Sequence, residues 1–181
     1  MSDRIEPSRA KGPAAIRVFG IIRLMEFRSG GTAPGVPCLE VKLAIYDPAS
    51  TAGSMMAHTV PLPELRQLGS DHAFRDSAAE HGDAAVTDAL QGFTSLGCSQ
   101  FQKAYGELVV NVESMAAMLR KLGLSVEAPG GVLVESLLGD DNFPITVASE
   151  ADLDPVGRAL FAPDMVRRWI GREIAWAQET G

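Results

Sequence analysis

The clearest pattern in the chain is a stripe of apolar residues that recurs every three or four positions from Ser99 to Leu122. Its members are Phe101, Tyr105, Leu108, Val112, Met115, Leu119 and Leu122. This spacing places side chains along one side of an α-helix. At 1.5 Å per residue such a helix is roughly 36 Å long, and it needs an apolar surface of similar length to pack against.

One segment inside the stripe has a second interpretation. Val109, Val110 and Val112 favour β structure, so residues 107–113 could form a strand. Gly106 also weakens a helix by about 1 kcal/mol relative to alanine. Because the stripe continues on both sides of this segment, the helix is favoured over the strand.

Three strands are predicted before this helix, as an antiparallel meander. They span Ile16–Phe27, Leu39–Tyr46 and about Ala57–Leu62. The second strand alternates apolar and polar residues, which predicts one buried face and one mostly wet face. The apolar phase of the first strand shifts at Gly20, which predicts a β-bulge there. The prolines at 61 and 63 suit an edge strand.

Helices and further strands are predicted on either side of the long helix. The earlier helices run from Ser70 to His81 and from Asp83 to Gly97, each closed by a glycine, and the long helix should end at Gly123. The later elements are strands Leu124–Glu127, Val132–Leu138 and Phe143–Ala148, then helices Glu150–Phe161, capped by Ser149, and Asp164–Gln178.

These elements predict an α+β protein. It has an N-terminal antiparallel sheet of about three strands, a central long amphipathic helix, a second β-hairpin region and two C-terminal helices. Residues 1–14 are polar and contain two prolines, so they are expected to form a flexible lead to a single domain over residues 15–181.

Composition and charge narrow the function classes. The chain is 46% hydrophobic and 22% charged, as in folded globular proteins. Residues 1–28 hold six Lys/Arg against three Asp/Glu, and the remainder holds ten against twenty, which gives the net charge of −7. The acidic body argues against duplex nucleic acid as a partner. No run approaches the ~20 apolar residues of a membrane span.

The two cysteines indicate a reduced, cytoplasmic protein. Cys38 and Cys98 lie 60 residues apart with no paired spacing, which disfavours a disulfide framework and structural zinc. The only apolar run near the N-terminus is interrupted by Arg17 and Arg23, so no signal-peptide core is expected. The glycine-rich segments lack a nucleotide-binding motif, and no cofactor is predicted.

Two groups of residues are candidates for a site. His72, Asp76 and Glu80 share one face of a predicted helix, with His81 beside them. Such a row could hold a divalent metal. Since no second His/Cys cluster completes a coordination sphere, a solvated helix face is favoured, and neither a metal site nor a catalytic site is predicted.

The second group belongs to the last predicted helix, which carries both tryptophans and several arginines. These residue types are enriched at protein interfaces. The candidate interface residues are Met165, Trp169, Ile170, Arg172 and Trp176. Packing of this helix on the protein's own sheet is favoured over a docking helix, and an amphipathic membrane helix is a third possibility.

The favoured functional hypothesis is a non-catalytic cytoplasmic assembly or accessory protein. It would act through protein–protein contacts, as a homo-oligomer or with another protein partner. One alternative is a small-ligand-binding protein or enzyme with a pocket between the sheet and the long helix, where His72, Asp76, Glu80 and His81 would be the polar groups. Another is a structural subunit of a larger repetitive particle, in which the basic N-terminal segment binds a neighbour's acidic body.

Overall fold

Within the described residues, strands and helices follow the predicted order, except that two of the predicted helices form one continuous helix. The computed structural model describes residues 14–27, 36–61, 80–127, 131–137, 145–162 and 179. Its elements are β1 (Ile16–Phe27), β2 (Val36–Asp47), β3 (Ala52–Pro61), α1 (Asp83–Lys121), β4 (Val126–Glu127), β5 (Val132–Ser136), β6 (Ile145–Val147), a 3-10 turn (Glu150–Asp152) and α2 (Leu153–Leu160). The predicted α+β class is confirmed.

All the described strands belong to one sheet, in the order β3-β2-β1-β5-β6, with β4 paired to the start of β1. The predicted antiparallel meander of β1, β2 and β3 is confirmed, as is the edge position of β3. The later hairpin is also present, but it extends the first sheet, because β5 pairs with β1 in parallel. A parallel pairing needs a long crossover connection, which α1 supplies.

β1 lies in the middle of the sheet, and the bulge predicted at Gly20 is absent from it. The pairing with β2 runs without interruption from Arg17–Tyr46 to Phe27–Val36. A central strand is buried on both faces, so apolar residues in both phases do not require a bulge. Gly20 has a different role: a Cβ there would lie 2.6 Å from Cδ2 of Leu108 on α1. The glycine lets the helix approach the strand closely.

The face of the sheet opposite α1 is less exposed than the alternating pattern predicts. Glu40 and Lys42 expose only 15% of their side chains, so the prediction of a mostly wet face is wrong. Their charges are paired: Lys42 Nζ lies 2.8 Å from Glu40 Oε1, and Arg23 Nε lies 2.7 Å from Glu135 Oε2. The Arg23 Nε–H is not aligned to donate a hydrogen bond to any described acceptor, so its contact with Glu135 is an ion pair.

α1 is one continuous helix of 39 residues, and the helix end predicted at Gly97 is wrong. Gly97 sits under the ring of Phe161, where a Cβ would overlap the ring atoms. The residue therefore serves packing between α1 and the end of α2. Residues 107–113 are helical, as the stripe predicts. The end of the helix is also as predicted, since Gly123 follows it with a φ of 79°.

The first closing helix begins where the sequence predicts. The Asp152 carboxylate accepts hydrogen bonds from the backbone N–H of Ser149 at 3.2 Å and from its hydroxyl at 3.1 Å, which caps the 3-10 turn before α2. The second closing helix, predicted over Asp164–Gln178, and the flexible lead over residues 1–13 lie outside the described residues. The predicted Ser70–His81 helix does too, apart from its last two residues.

Substitutions at Gly20 and Leu108 test the seat of α1 on the sheet. We expect Gly20→Ala to destabilise the protein by ~1–3 kcal/mol through overpacking. Leu108→Ala should cost ~2–5 kcal/mol through the cavity it leaves. The Gly20→Ala penalty should shrink in the Leu108→Ala background, because the added methyl then meets empty space. Urea denaturation of the four proteins measures this coupling.

A matched control uses the same change in open surroundings. No atom lies within 4 Å of a Cβ built at Gly106 on α1, so Gly106→Ala should stabilise the helix by about 0.5–1 kcal/mol. Strictly additive penalties at Gly20 and Leu108 would show that the two residues do not meet.

Candidate functional site

One helix is too narrow to cover this sheet, and the uncovered part forms a groove. Strands lie about 4.8 Å apart and a helix with its side chains is about 10 Å across. α1 packs on β1 and β2, while α2 packs on α1 and β6. The helix-facing side of β3, at the edge of the sheet, is therefore not covered by either of the described helices. Between α1 and the β2–β3 hairpin there is a groove with a volume of about 450 Å³.

The floor and mouth of the groove are apolar. Val41 and Leu43 of β2, Val60 of β3 and Leu108 of α1 line its walls. Three methionines also line it: Met56 from β3, and Met115 and Met118 from α1. Met56 is 56% exposed and Met118 is 47% exposed, so two large apolar side chains remain in water beside the groove. The volume and the lining are typical of sites that bind small molecules.

Four polar side chains line the same groove. Glu107, Asn111 and Ser114 follow one another at spacings of four and three along α1. His58 lies across from them on β3, where its pairing with Val41 puts it on the helix-facing side of the sheet. Among the described lining residues Glu107 is the one carboxylate, and there is no lysine or arginine. The arrangement can accept and donate hydrogen bonds and can pair with one cation.

β3 itself presents a long exposed edge next to the groove. Every residue from Thr51 to Thr59 is exposed, including Met55 at 59%. No charged residue occurs between positions 48 and 63. Edge strands of soluble proteins are commonly protected by charged side chains or bulges, and β3 has no charged residue and an uninterrupted register with β2.

The turn before β3 is held by local hydrogen bonds. The Asp47 carboxylate accepts hydrogen bonds from the Ala49 N–H at 2.9 Å and the Ser50 hydroxyl at 2.8 Å. The hydroxyl bond is the main reason that the pKa of Asp47 lies below its ordinary value. This turn sets the pairing of Asp47 with Ala52, which starts the register of the whole hairpin.

The residues singled out from the sequence are not those of the groove. Glu80 and His81 are exposed, with Nδ1 of His81 4.0 Å from Oε2 of Glu80, and neither lines the groove. His72 and Asp76 lie outside the described residues, so the row of four remains a prediction. No group of three potential metal ligands occurs in the part of the chain that the structure describes. The candidate interface residues Met165, Trp169, Ile170, Arg172 and Trp176 also lie outside the described residues.

Sequence reasoning missed His58, Asn111 and the methionines of the groove. Two signals in the sequence pointed toward the groove: the run over residues 48–63 without Asp, Glu, Lys or Arg, and Met118, which lies beside the stripe residue Met115. Neither signal shows that the strand and the helix face each other. That juxtaposition depends on the sheet order.

Cys98 is a poor nucleophile in this setting. Burial raises the pKa of its thiol, because the charged thiolate loses hydration. Arg158 lowers that pKa by a smaller amount, and Asp154 raises it further. The thiol lies on α1 near Gly157 of α2, within the packing between the two helices.

The alkylation rate of Cys98 with iodoacetamide tests this environment. We expect its half-maximal rate at a pH above that of an ordinary cysteine, and Arg158→Met should move it higher still by removing the nearby positive charge. Mass spectrometry of modified peptides gives the rate at each site, and Cys98→Ser provides the background from buried Cys38. Half-maximal alkylation below the ordinary value would contradict the buried thiol.

In the part of the chain that the structure describes, the fold is an α+β protein with β3 at the edge of the sheet and an apolar groove between that edge and the longest described helix. Comparison with protein-family models, curated proteins and solved structures gives no match. No helix among the described residues has the length and apolarity needed to cross a membrane.

Proposed function

We propose that this is a non-catalytic assembly or accessory protein that self-associates through the edge of β3. The observation that carries this proposal is the edge strand itself, which is ten residues long, exposed from Ala52 to Thr59 and without Asp, Glu, Lys or Arg. Among the described residues β3 pairs with β2 alone. Its outer backbone N–H and C=O groups are available to a strand from another chain.

The charge distribution supports a second copy as the occupant of this edge. A chain with a net charge of −7 repels its own copies, so most of its surface opposes self-association. The turn and strand over residues 48–61 carry no charged side chain and bring no like charges together. Two copies can therefore approach along β3 at the lowest electrostatic cost.

The geometry of two-fold pairing is simple at this edge. With the axis perpendicular to the sheet near Met56 or Ala57, two β3 strands run antiparallel and the sheet continues from one copy into the next. Residues on the helix-facing side of one strand oppose residues on the helix-facing side of the other. With the axis at Ala57, Met56 of one copy faces His58 of the other, while Met55 of one copy faces Thr59 of the other on the opposite side of the sheet.

At the other end of the sheet, β6 is a weaker candidate. Its described span is only three residues, Ile145–Val147, and short edge strands offer few backbone groups for pairing. This contrast supports association at one edge, which closes a dimer and does not extend a filament.

Light scattering after size-exclusion chromatography tests the proposal. We expect a dimer, and we expect Met55→Lys to halve the mass with the circular dichroism spectrum unchanged, because a lysine on an edge strand opposes edge-to-edge pairing. Thr146→Lys makes a similar change on β6, where the side chain is also exposed, and should leave the dimer intact.

Two results would contradict self-association at β3. One is a parent protein that stays monomeric at high micromolar concentration; the other is a dimer unaffected by Met55→Lys. Particles larger than a dimer that dissociate in high salt would instead support the repetitive-particle hypothesis, since salt screens a contact between the basic N-terminal segment and an acidic body.

A further inference from the structure

We infer that the groove between α1 and β3 binds a small amphiphile with an apolar body and a cationic head. Pairing at β3 uses the outward backbone groups of the strand, whereas the ligand site uses helix-facing side chains. The two sites adjoin at Met56 and His58, which line the groove and lie on the paired strand. The class of ligand follows from three features of the groove: its buried apolar walls, the methionines at its mouth and its one carboxylate, Glu107.

The walls of the groove are apolar and fixed in position, so they can bind the apolar part of a ligand. Leu108 is 1% exposed and Leu43 is 7% exposed, so both are held in place by the core behind them. A volume of about 450 Å³ suits a small molecule, and the groove opens to solvent along β3. Such a site needs no rearrangement of the core to accept an alkyl chain.

The methionines at the mouth favour a flexible, unbranched ligand. Met56, Met115 and Met118 are unbranched side chains that adapt to irregular apolar shapes. Met56 and Met118 are about half exposed, so a ligand lying between them removes their apolar surface from water. The mouth would tolerate alkyl chains of several lengths.

The polar residues decide the head group. Glu107 is the single acidic side chain among the described lining residues, His58 is the other titratable side chain there, and the protein as a whole is acidic. An anionic head would meet a like charge and find no lysine or arginine in the described lining. A cationic head can pair with Glu107 and donate hydrogen bonds to the Asn111 amide oxygen and the Ser114 hydroxyl.

Titration calorimetry with octylammonium and octanoate separates the contribution of the head group to the affinity from that of the alkyl chain. The two ligands share a chain length and differ in the sign of the head charge. We expect octylammonium to bind at least about fivefold more tightly at low salt, because its head pairs with Glu107 where octanoate is repelled. Glu107→Gln should reduce that preference to less than about twofold, with neutral octanol binding unchanged.

A blocking variant places the ligand in the groove. Asn111→Trp puts a large ring into the lining, and it should abolish binding of octylammonium and octanol alike. Val110 is the neighbouring residue on α1, is 59% exposed and does not line the groove, so Val110→Trp is the matched control and should bind normally. Met55→Lys, designed to be monomeric, should also bind normally.

The outcomes are distinguishable. No binding of any of the three ligands, or equal binding by Asn111→Trp, would show that the groove is not a ligand site. Binding with octanoate equal to or tighter than octylammonium would keep the site and overturn the cationic head. A monomeric parent protein that still prefers octylammonium would support the ligand site and reject self-association.

Discussion

The close contact between Leu108 of α1 and Gly20 of β1 sets the position of everything else on the helix-facing side of the sheet. A missing Cβ at the centre of the middle strand lets the helix sit deeply, and Leu108 is almost completely buried there. Because the helix is seated over β1 and β2, it cannot also cover β3. The groove therefore results from the position of the helix on the sheet. Its wall residue Leu108 is held in place by the same contact with Gly20.

A second glycine, Gly97, allows close packing between α1 and the end of α2. Gly97 allows the ring of Phe161 to lie against α1, and the hydroxyl of Thr94 donates a hydrogen bond to the Phe161 carbonyl oxygen at 3.2 Å. α2 is thereby held against the N-terminal half of α1 and away from β3. The two described helices therefore cover the same part of the sheet, and neither packs across β3.

The charged residues are also distributed unevenly between the sheet face away from α1 and the edge strand β3. On the face away from α1, Arg23 lies between Glu40 and Glu135 on the neighbouring strands, and Lys42 pairs with Glu40, so half-buried charges compensate one another. On β3 there is no charge to compensate. Burial requires pairing in the first region, because an isolated buried charge is strongly unfavourable. In the second, the strand is exposed from Ala52 to Thr59, and its side chains there do not include Asp, Glu, Lys or Arg.

The sequence by itself determined the elements that depend on local periodicity and capping. The stripe around Leu108 predicted a helix through residues 107–113, the alternation in β2 predicted a strand, and Ser149 and Gly123 marked helix ends correctly. These features involve residues within a few positions of one another, so the pattern in the chain is sufficient to predict them.

Only the tertiary structure decided what the glycines do and which residues form the groove. Gly20 and Gly97 have the sequence signature of a bulge and a helix end, yet each is required by a side chain far away in the chain: Leu108 in one case and Phe161 in the other. His58 and Asn111 lie across one groove because β3 is at the sheet edge and α1 crosses beside it. The hydrophobic period along the chain predicts the type of each element but not which elements pack together. Close packing between elements distant in the sequence determines the roles of the glycines and the residues of the groove.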